Sequence, residues 1–508
     1  MHLEKLEVKQ LIHNGVMIPV YKPRGFRISF RGKELELTPE QEEMAVAWVR
    51  KLPTDYAKDK TFTKNFFRDF GAALKIKGKV VPEDFDFSQV IRWVESERAK
   101  RESMSKEQKK ALAAERKATR EQNKQKYGFA TVNGMPMEIG NYTVEPASIF
   151  VGRGDHPKRG SWKPGVKAED VTLNLSPDAP RPIPLGEGKW KGIVFEPESL
   201  WIASWRDKLG GKVKYVWLSD TAYIKQARDM EKFEKSRELQ KKIEKVREHI
   251  NEGLESSDPV ERKVATVAYL IDKLRMRVGD EKDEDEADTV GATTLRSEHV
   301  KFNPDGSITL DFLGKDCVRW VNTITPPEAV TRNLKEFISE GNETIFSGVR
   351  SQKVNAYLGE VMPGLTAKVF RTYHASMAAK DALSKSKLDK DDPAYIKRYT
   401  ATMANLEAAR VCCHKRKLPK SWRESLDKKK DRLMKLKEKK AKRDRVKELE
   451  LKVKATQATK DYNLNTSLRN YIDPRVYSDW GRRIDFDWKN YYSKSLQRRF
   501  AWVDGDQH

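Results

Sequence analysis

The pattern of apolar and polar positions changes repeatedly along the chain. Residues 1–85 mix short alternating stretches, such as FRISFRGKELELT, with helical ones, such as EEMAVAWVRKL. Residues 86–127 have a helical and very polar pattern, in which Ser105 and Gln108 form a capping-box signature that predicts the start of a second helix. A helix that is polar all round usually projects into solvent. This segment is therefore either a solvated face or a basic arm over a polyanion.

The middle of the chain contains one compact β segment among long helical patterns. Residues 128–220 are punctuated by Gly, Pro and aromatic residues, which indicates loops and strands. Residues 221–416 are mostly helical, but EHVKFNPDGSITLDFLGKDCVRWVN alternates around two turns. It predicts a three-stranded antiparallel meander with Lys315 at the second turn.

The last hundred residues change character twice. Residues 427–447 contain twelve Lys or Arg against four Asp or Glu. A thin apolar stripe of helical spacing runs through this region, formed by Leu433, Leu436, Val446, Leu449 and Val453. This pattern predicts a two-helix hairpin rather than a globular core. The final fifty residues regain aromatic side chains, which suffice for a small helical domain.

These patterns predict an α+β multidomain fold. It comprises a mixed α/β N-terminal part, a mostly helical middle part with a small antiparallel sheet, a helical-hairpin linker and a small helical C-terminal domain. The predicted boundaries are 1–105 and 106–220 for two N-terminal subdomains, 221–416 for the mostly helical part, 417–457 for the linker and 458–508 for the C-terminal domain.

Charge and composition narrow the partners. A chain of 508 residues is too long for a single hydrophobic core, so two or more domains are expected. Its formal net charge of +24 favours a polyanionic partner, first a nucleic acid and second an anionic membrane surface. The longest apolar runs fall far short of the ~18 residues of a membrane span, and the N-terminus lacks the apolar region of a secretory signal. No P-loop pattern is present, so no nucleotide cofactor is predicted.

The three cysteines do not suggest a metal site. Cys412 and Cys413 are adjacent and Cys317 stands alone, which suits neither a disulfide framework nor a CxxC zinc site. The VCCH stretch has no second pair of ligands. No metal is predicted, and the chain is expected to be intracellular and reduced.

The stretch TSLRNYIDPRV places one tyrosine, Tyr471, after the basic arm. On its own it suggests a packing residue with its hydroxyl at the surface. A tyrosine hydroxyl has an unperturbed pKa of about 10 and is a poor nucleophile at neutral pH. To attack a phosphodiester it needs cations around the phosphoryl oxygens and an acid for the leaving alkoxide. Arginine suits the first task and a lysine at a hairpin tip the second.

Ordered motifs supply such groups. IDKLRMRVGDEKDEDEADTVG (271–291), DFLGKD (311–316), LTAKVFRTYHAS (365–376), CCHKR (412–416) and NYIDPR (470–475) occur in this order. Together they resemble the eukaryotic-type IB DNA topoisomerases. KNFFRDF, KYGF, GRGDHPK and QRRFAW also look like family landmarks, so the resemblance covers nearly the whole chain.

The resemblance implies a role for each matched residue. Tyr471 matches the nucleophile that forms a 3′-phosphotyrosine link. Arg277 and Arg371 match the pair that holds the nonbridging oxygens, His414 the third phosphate contact, and Lys315 the general acid for the 5′-hydroxyl. The implied DNA-binding positions are Arg153, Lys158, Asp316, Lys368, Thr466 and Asn470.

Two groups of these positions have more specific counterparts. Arg153, Asp316 and Asn470 match positions that line the nick where camptothecin-type drugs stack. Lys158 and the acidic stretch 284–286 match two opposed loops that close a clamp around DNA. The acidic stretch lacks the glycine and spacing of an EF-hand, so a calcium loop is not predicted.

The sequence also departs from the family pattern. The arm over 417–457 is shorter than the long linker of the nuclear enzymes, and Asn465 and Leu468 replace the usual glycine and lysine. No long charged N-terminal extension with nuclear-localisation signals is seen. These departures suggest a compact form from a cell without a nucleus, or a chain trimmed to its core, and they leave drug sensitivity open.

The resulting prediction is a monomeric enzyme that clamps duplex DNA and relaxes supercoils of both signs without ATP or metal. The resemblance implies that residues 1–105 form an N-terminal cap, 106–220 a second core subdomain with DNA-facing loops, 221–416 a mostly helical catalytic domain, and 458–508 the C-terminal domain that carries the nucleophilic tyrosine. The enzyme would be chromosome-associated, in the nucleoid or the nucleus, and not bound to a membrane. The alternatives are a tyrosine recombinase or integrase, which shares the chemistry but needs a specific site and a synaptic tetramer, and a non-catalytic DNA-binding protein.

Overall fold

The computed structural model describes residues 8–152, 154, 156–186, 188–279, 289–314, 318–416, 418–419 and 421–505. The described chain divides into two compact units, with unit 1 ending at Lys225 and unit 2 beginning at Gln226. The predicted division into five domains stays a prediction.

Unit 1 combines small sheets with two pairs of helices. Its helices are α1 (Pro39–Val49), α2 (Lys60–Ala73), α3 (Ser88–Ser103) and α4 (Lys106–Tyr127). Its strands are β1 (Leu11–His13), β2 (Arg27–Phe30), β3 (Lys33–Glu36), β4 (Phe85–Asp86), β5 (Phe129–Val132), β6 (Met135–Glu138), β7 (Ser148–Ile149), β8 (Trp162–Lys163), β9 (Thr172–Asn174), β10 (Gly192–Val194), β11 (Trp201–Arg206) and β12 (Val213–Trp217).

Two apolar cores hold unit 1 together. One is aromatic and centres on α2, where Phe66 stacks on Trp48 with ring centroids 4.9 Å apart. The other lies beneath the sheets β1-β5-β6 and β10-β9-β11-β12. Asn65 of α2 also donates to the carbonyls of Pro157 and Arg159, each at 2.8 Å, so the loop near residue 158 is tied to the aromatic core.

The polar helices predicted over residues 86–127 are present as α3 and α4. The Ser105 side chain accepts from the backbone of Gln108, and the Gln108 side chain accepts from the backbone of Ser105. The capping box is therefore confirmed, and it satisfies two of the amide donors that a helix start leaves open.

Unit 2 is mostly helical. Its helices are α5 (Tyr223–Leu254, whose first residues belong to unit 1), α6 (Pro259–Leu274), α7 (Glu328–Ser339), α8 (Ser351–Val361), α9 (Ala367–Ser384), α10 (Ala394–Val411), α11 (Trp422–Glu438), α12 (Arg443–Ala458), α13 (Leu464–Asn470), α14 (Pro474–Arg483) and α15 (Lys494–Arg499). Its strands are β13 (Val300–Phe302), β14 (Ile308–Gly314) and β15 (Val318–Ile324).

Helix α6 forms the centre of the larger core of unit 2. The helix is buried over most of its length and is surrounded by apolar residues of α5, α7, α8 and α9. The three strands pair antiparallel in the order β13-β14-β15, which confirms the predicted meander. Phe312 and Trp320 face each other across β14 and β15 with their rings stacked at 4.7 Å, and both join this core.

The predicted helical hairpin is confirmed as α11 and α12. Helix α11 ends in a Schellman motif: the Lys440 amide donates to Lys437 at 3.0 Å and the Ala441 amide to Leu436 at 3.0 Å. Lys440 holds the left-handed conformation of this motif, with φ of 47°. A glycine is the usual residue there, because a Cβ is disfavoured at positive φ.

The C-terminal helices share a second core with α9 and α10. Phe500, Ile472 and Tyr477 are fully buried there against alanines of both helices. This core fixes the segment that carries Tyr471 to the rest of unit 2. The predicted α+β fold is confirmed, and no helix in the described part of the chain is long and apolar enough to cross a membrane.

Candidate active site

One pocket of unit 2 is lined by four of the predicted site residues, and Tyr471 lies beside it in contact with two of them. Its lining comes from the end of α6, the meander, α9, the end of α10 and α13. The lining residues are Arg275, Met276, Arg277, Val290, Gly291, Phe312, Gly314, Val318, Arg319, Trp320, Arg371, Cys412, Cys413, His414, Lys415, Asn463 and Thr466. No Asp or Glu stands among these described residues, so the pocket is suited to an anion.

Tyr471 follows the last residue of α13. Its amide donates to the carbonyl of Ser467 at 2.9 Å, which continues the helical turn. Its carbonyl accepts from the Ser376 hydroxyl at 3.2 Å, and the same hydroxyl accepts from the Asp473 amide at 2.9 Å. Ser376 of α9 therefore anchors the backbone on both sides of Ile472, while the Tyr471 ring remains half-buried.

Three basic groups surround the Tyr471 ring. The Arg371 guanidinium lies 4.8 Å from the ring centroid. The His414 ring is also at 4.8 Å and is tilted by 32°. The Arg277 side chain is hydrogen-bonded to the phenol. A tyrosine that served only to pack the core would not need basic side chains around its ring.

Arg371 and His414 form a buried pair. Arg371 lies on α9 and is 5% exposed, and its Nη2 donates to the Cys412 carbonyl at 2.7 Å and to His414 Nε2 at 3.1 Å. A guanidinium has no acceptor, so Nε2 accepts and the proton of the neutral imidazole lies on Nδ1. That nitrogen donates to Ser467 Oγ at 2.6 Å.

The protonation state of His414 follows from this environment. Burial, together with the charges of Arg371 and Arg277, lowers the pKa of His414 to about 3. The imidazole is therefore neutral at physiological pH in the free protein. An anion bound beside it would favour the imidazolium, because an opposite charge stabilises the charged form.

Arg277 lies on an extended segment just after α6. The helix ends at Arg275, which is left-handed with φ of 54°, and the carbonyl of Arg277 accepts from the Ala292 amide at 2.8 Å. Gly279 and Gly291 fix this pairing, because a Cβ on Gly291 would lie 2.5 Å from the Gly279 Cα. Burial and the charge of Arg371 lower the pKa of Arg277 from its usual value.

Two of the pocket's arginines have a buried guanidinium nitrogen without a partner in the described part of the chain. The Nε atoms of Arg275 and Arg371 have no hydrogen-bond acceptor among the described residues. Buried donors of this kind call for an acceptor that the protein itself does not supply. A phosphate, with several acceptor oxygens, is the kind of group that guanidinium donors recognise.

Some of the predicted site residues line the pocket, and others lie outside its lining. Arg277, Arg371, His414 and Thr466 line the pocket around Tyr471. Lys368 on α9 and Asn470 at the end of α13 are exposed and do not line it.

The remaining predicted residues lie elsewhere. Lys158 belongs to unit 1, where its amine donates to the Leu209 carbonyl at 3.2 Å. Arg153, Lys315, Asp316 and the acidic stretch 284–286 lie outside the described residues. Gly314 and Val318 pair with each other across β14 and β15, and both line the pocket.

Sequence reasoning missed four charged or amide residues of the pocket. The residues that line it without having been predicted are Arg275, Arg319, Lys415 and Asn463. Arg275 and Lys415 each lie within two residues of a predicted site residue, and this adjacency was the available signal. Asn463 caps α13 by accepting from the Thr466 amide at 3.3 Å, and an Asn before a short helical run is a recognisable cap.

Known families match almost the whole chain. Residues 7–218 match "Eukaryotic DNA topoisomerase I, DNA binding fragment", residues 221–447 match "Eukaryotic DNA topoisomerase I, catalytic core", and residues 443–507 match "C-terminal topoisomerase domain". These matches follow the chain in order and include every element that forms the pocket.

Individual relatives agree with the family matches. The chain is 33% identical to DNA topoisomerase 1 of Homo sapiens, over 98% of its own length and 71% of the human protein. It is 35% identical to DNA topoisomerase 1 beta of Arabidopsis thaliana and 34% identical to DNA topoisomerase 1 of Drosophila melanogaster, in each case over 97% of this chain. It spans 58% of the length of the Arabidopsis relative and 54% of the Drosophila relative.

The fold and the cationic tyrosine site therefore define a protein of the DNA topoisomerase class. The chain belongs to the eukaryotic DNA topoisomerase I family.

Proposed function

We propose that this chain is a type IB DNA topoisomerase that relaxes positive and negative supercoils of duplex DNA. It would cut one strand through Tyr471, let the free end swivel and reseal the break. The observation that carries the proposal is the Tyr471 ring beside Arg371 and His414, each 4.8 Å away, which themselves line a pocket without carboxylates among its described lining residues.

The proposed cleavage step exchanges one ester bond for another. The Tyr471 oxygen attacks the phosphorus and forms a P–O bond as the bond to the 5′ oxygen breaks. The phenol proton leaves to solvent or base, and the departing 5′ oxygen takes up a proton, for which Lys315 is the proposed donor. Religation is the same step reversed. Because the number of phosphoester bonds is unchanged, the cycle needs no ATP. A metal is not proposed, since Arg277, Arg371 and Lys315 would supply the positive charge and the proton.

Arg277 and Arg371 would hold the two nonbridging oxygens of the phosphate. Their charge favours the additional negative charge of the transition state, in a site whose donors are already oriented. By analogy with oxyanion-hole donors, removing one such group costs on the order of 3 kcal/mol of transition-state stabilisation. His414 would contribute a third hydrogen bond once Nε2 carries a proton, either as the imidazolium that a bound phosphate favours or as the other neutral tautomer, with Nδ1 accepting from Ser467 Oγ.

Duplex DNA is the proposed partner, and the chain is proposed to act as a monomer associated with the chromosome. Lys158, Lys368, Thr466 and Asn470 are proposed DNA contacts, together with Arg153 and Asp316. Phosphate contacts position a protein without reading sequence, so the binding is expected to be weakly selective.

The test is relaxation of supercoiled plasmid in EDTA without ATP, comparing wild type with Tyr471→Phe. Phenylalanine keeps the ring between Arg371 and His414 and removes only the hydroxyl. Tyr462→Phe serves as a matched control, since Tyr462 lies nine residues earlier and its ring makes neither of the contacts with Arg371 and His414 that the Tyr471 ring makes. We expect wild type and Tyr462→Phe to relax DNA of both signs, and Tyr471→Phe to bind DNA without relaxing it.

Two other outcomes contradict the proposal. A wild-type protein that is inactive until ATP or a metal is added would have a different mechanism. A Tyr471→Phe variant that still relaxes plasmid would exclude Tyr471 as the nucleophile. Denaturant-trapped covalent adducts on labelled DNA separate these cases from a loss of binding.

A further inference from the structure

A hydrogen-bonded triad, in which Arg247 and His374 flank the buried Asp272, joins three helices of unit 2 outside the pocket. Asp272 lies near the end of α6 with 3% of its side chain exposed. Its Oδ1 is 2.8 Å from Nε2 of His374 on α9, and its Oδ2 is 2.9 Å from Nε of Arg247 on α5. None of the three residues lines the pocket around Tyr471.

The carboxylate of this triad is ionised. Burial alone would raise the pKa of Asp272, but the hydrogen bonds and charges of His374 and Arg247 lower it to about 2. A buried carboxylate can only accept, so Nε2 of His374 must carry a proton. Removing one partner of a buried charge is strongly destabilising locally, because the remaining charge is left without compensation.

The triad lies close to both proposed phosphate-binding arginines. Asp272 is five residues before Arg277, with the last turn of α6 and the left-handed Arg275 between them. His374 is three residues after Arg371, which places it about one turn further along α9. The hydrogen bond from His374 to Asp272 therefore ties together the two elements from which Arg277 and Arg371 project.

We infer that Asp272 and His374 are positioning residues, which set the spacing between Arg277 and Arg371 for the phosphate. This inference rests on the proposed function of the pocket. The segment carrying Arg277 is not helical, so its direction depends on where α6 ends. Because α6 and α9 meet at the Asp272–His374 bond, a small shift there moves one arginine relative to the other.

The sensitivity of catalysis to such a shift is large. A displacement of about 1 Å from a substitution far from the chemistry can slow a reaction by roughly 100-fold. The affinity of the protein for duplex DNA depends on many phosphate contacts over the whole interface. That affinity should therefore change far less than the cleavage rate. The Asp272–His374 pair therefore predicts a loss of cleavage rate without a matching loss of DNA binding.

The experiment compares three variants with wild type. His374→Leu removes the donor to Asp272. His374→Gln keeps an N–H donor at a similar reach and serves as the rescue. Arg247→Met is the matched control, because it removes the other partner of the same carboxylate but leaves the link between α6 and α9.

Three quantities are measured for each protein. They are the single-turnover rate of covalent adduct formation on a short duplex at saturating protein, the Kd for that duplex and the midpoint of thermal unfolding. We expect His374→Leu to form the adduct about 10- to 100-fold more slowly, with less than about a threefold change in Kd. His374→Gln should recover most of the rate. Arg247→Met should lower the unfolding midpoint yet retain most of the rate.

Each contrary result has a defined meaning. If His374→Leu cleaves at the wild-type rate, the inference is wrong while the proposed function stands. If Arg247→Met and His374→Leu lose rate in proportion to their losses of thermal stability, the triad is only structural and the inference is again wrong. A wild-type protein that forms no adduct refutes the proposed function, and the inference with it.

Discussion

The neutral state of His414 leads to a prediction about stability at mild acidity. In the unfolded chain a histidine titrates near 6.5, whereas burial and two arginines lower the pKa of His414 to about 3 in the native protein. Between these values the unfolded chain binds a proton that the native chain does not. The stabilising contribution of a neutral His414 is therefore complete above pH 6.5 and is lost progressively as the pH falls below it.

The magnitude follows from the size of the window. Each pH unit within it costs about 1.4 kcal/mol of unfolding free energy, so lowering the pH from 6.5 to 5.0 costs about 2 kcal/mol. The variant His414→Gln keeps a side-chain amide that can bond Arg371 and Ser467, but it does not titrate. Wild type should therefore lose about 2 kcal/mol more than His414→Gln over this range.

The assay is urea unfolding of both proteins at pH 7.5, 6.5 and 5.0. The difference in unfolding free energy between the two proteins at pH 7.5 gives the effect of the substitution on packing and hydrogen bonding. The change of that difference with pH tests whether His414 is neutral in the native protein. The other histidines titrate alike in both proteins, so they cancel in the comparison. An equal loss of stability by wild type and His414→Gln would show that His414 is not held neutral, and the proposed tautomer would have to be abandoned.

The remaining predictions concern DNA binding and backbone conformation. The affinity for duplex DNA should fall steeply with salt: about six phosphate contacts would give a log–log slope near −5, and a slope near zero would contradict a phosphate-based interface. Lys440→Gly should raise the unfolding free energy by up to about 1 kcal/mol, because Lys440 has φ of 47°, whereas Lys439→Gly at φ of −76° should lower it. Gly160→Ala should lower the thermal midpoint by several degrees, since a Cβ there would lie 2.0 Å from the Phe62 carbonyl oxygen at φ of +87°; an unchanged midpoint would mean that the loop shifts freely.

Local patterns predicted the elements well. The Ser105–Gln108 capping box, the meander and the basic helical hairpin each depend on residues that are neighbours in sequence, and all three are present. The alternation of side chains within a strand and the spacing of caps at a helix start are set by local backbone geometry. For that reason the sequence alone was informative about them.

The chemistry of the pocket was less accessible to sequence reasoning. Asp272 and His374 are 102 residues apart, and no local pattern connects them. The same holds for Ser376, whose hydroxyl bonds the backbone of Tyr471 and Asp473 across 95 and 97 residues. Such contacts arise from the packing of α9 against distant segments. The predicted roles of Tyr471 and its neighbours came from ordered motifs and remain to be tested by experiment.

The absence of acidic groups from the described pocket lining has a consequence for the free protein. Arg277 and Arg371 repel each other, and the buried Nε of Arg371 has no partner within the described chain. The packing of unit 2 therefore holds two like charges close together, and a bound anion would offset their repulsion. A ligand that binds the native state alone raises its stability by mass action. Inorganic phosphate or sulfate in a storage buffer should accordingly act as a stabiliser and, by occupying the same donors, as a competitor of DNA.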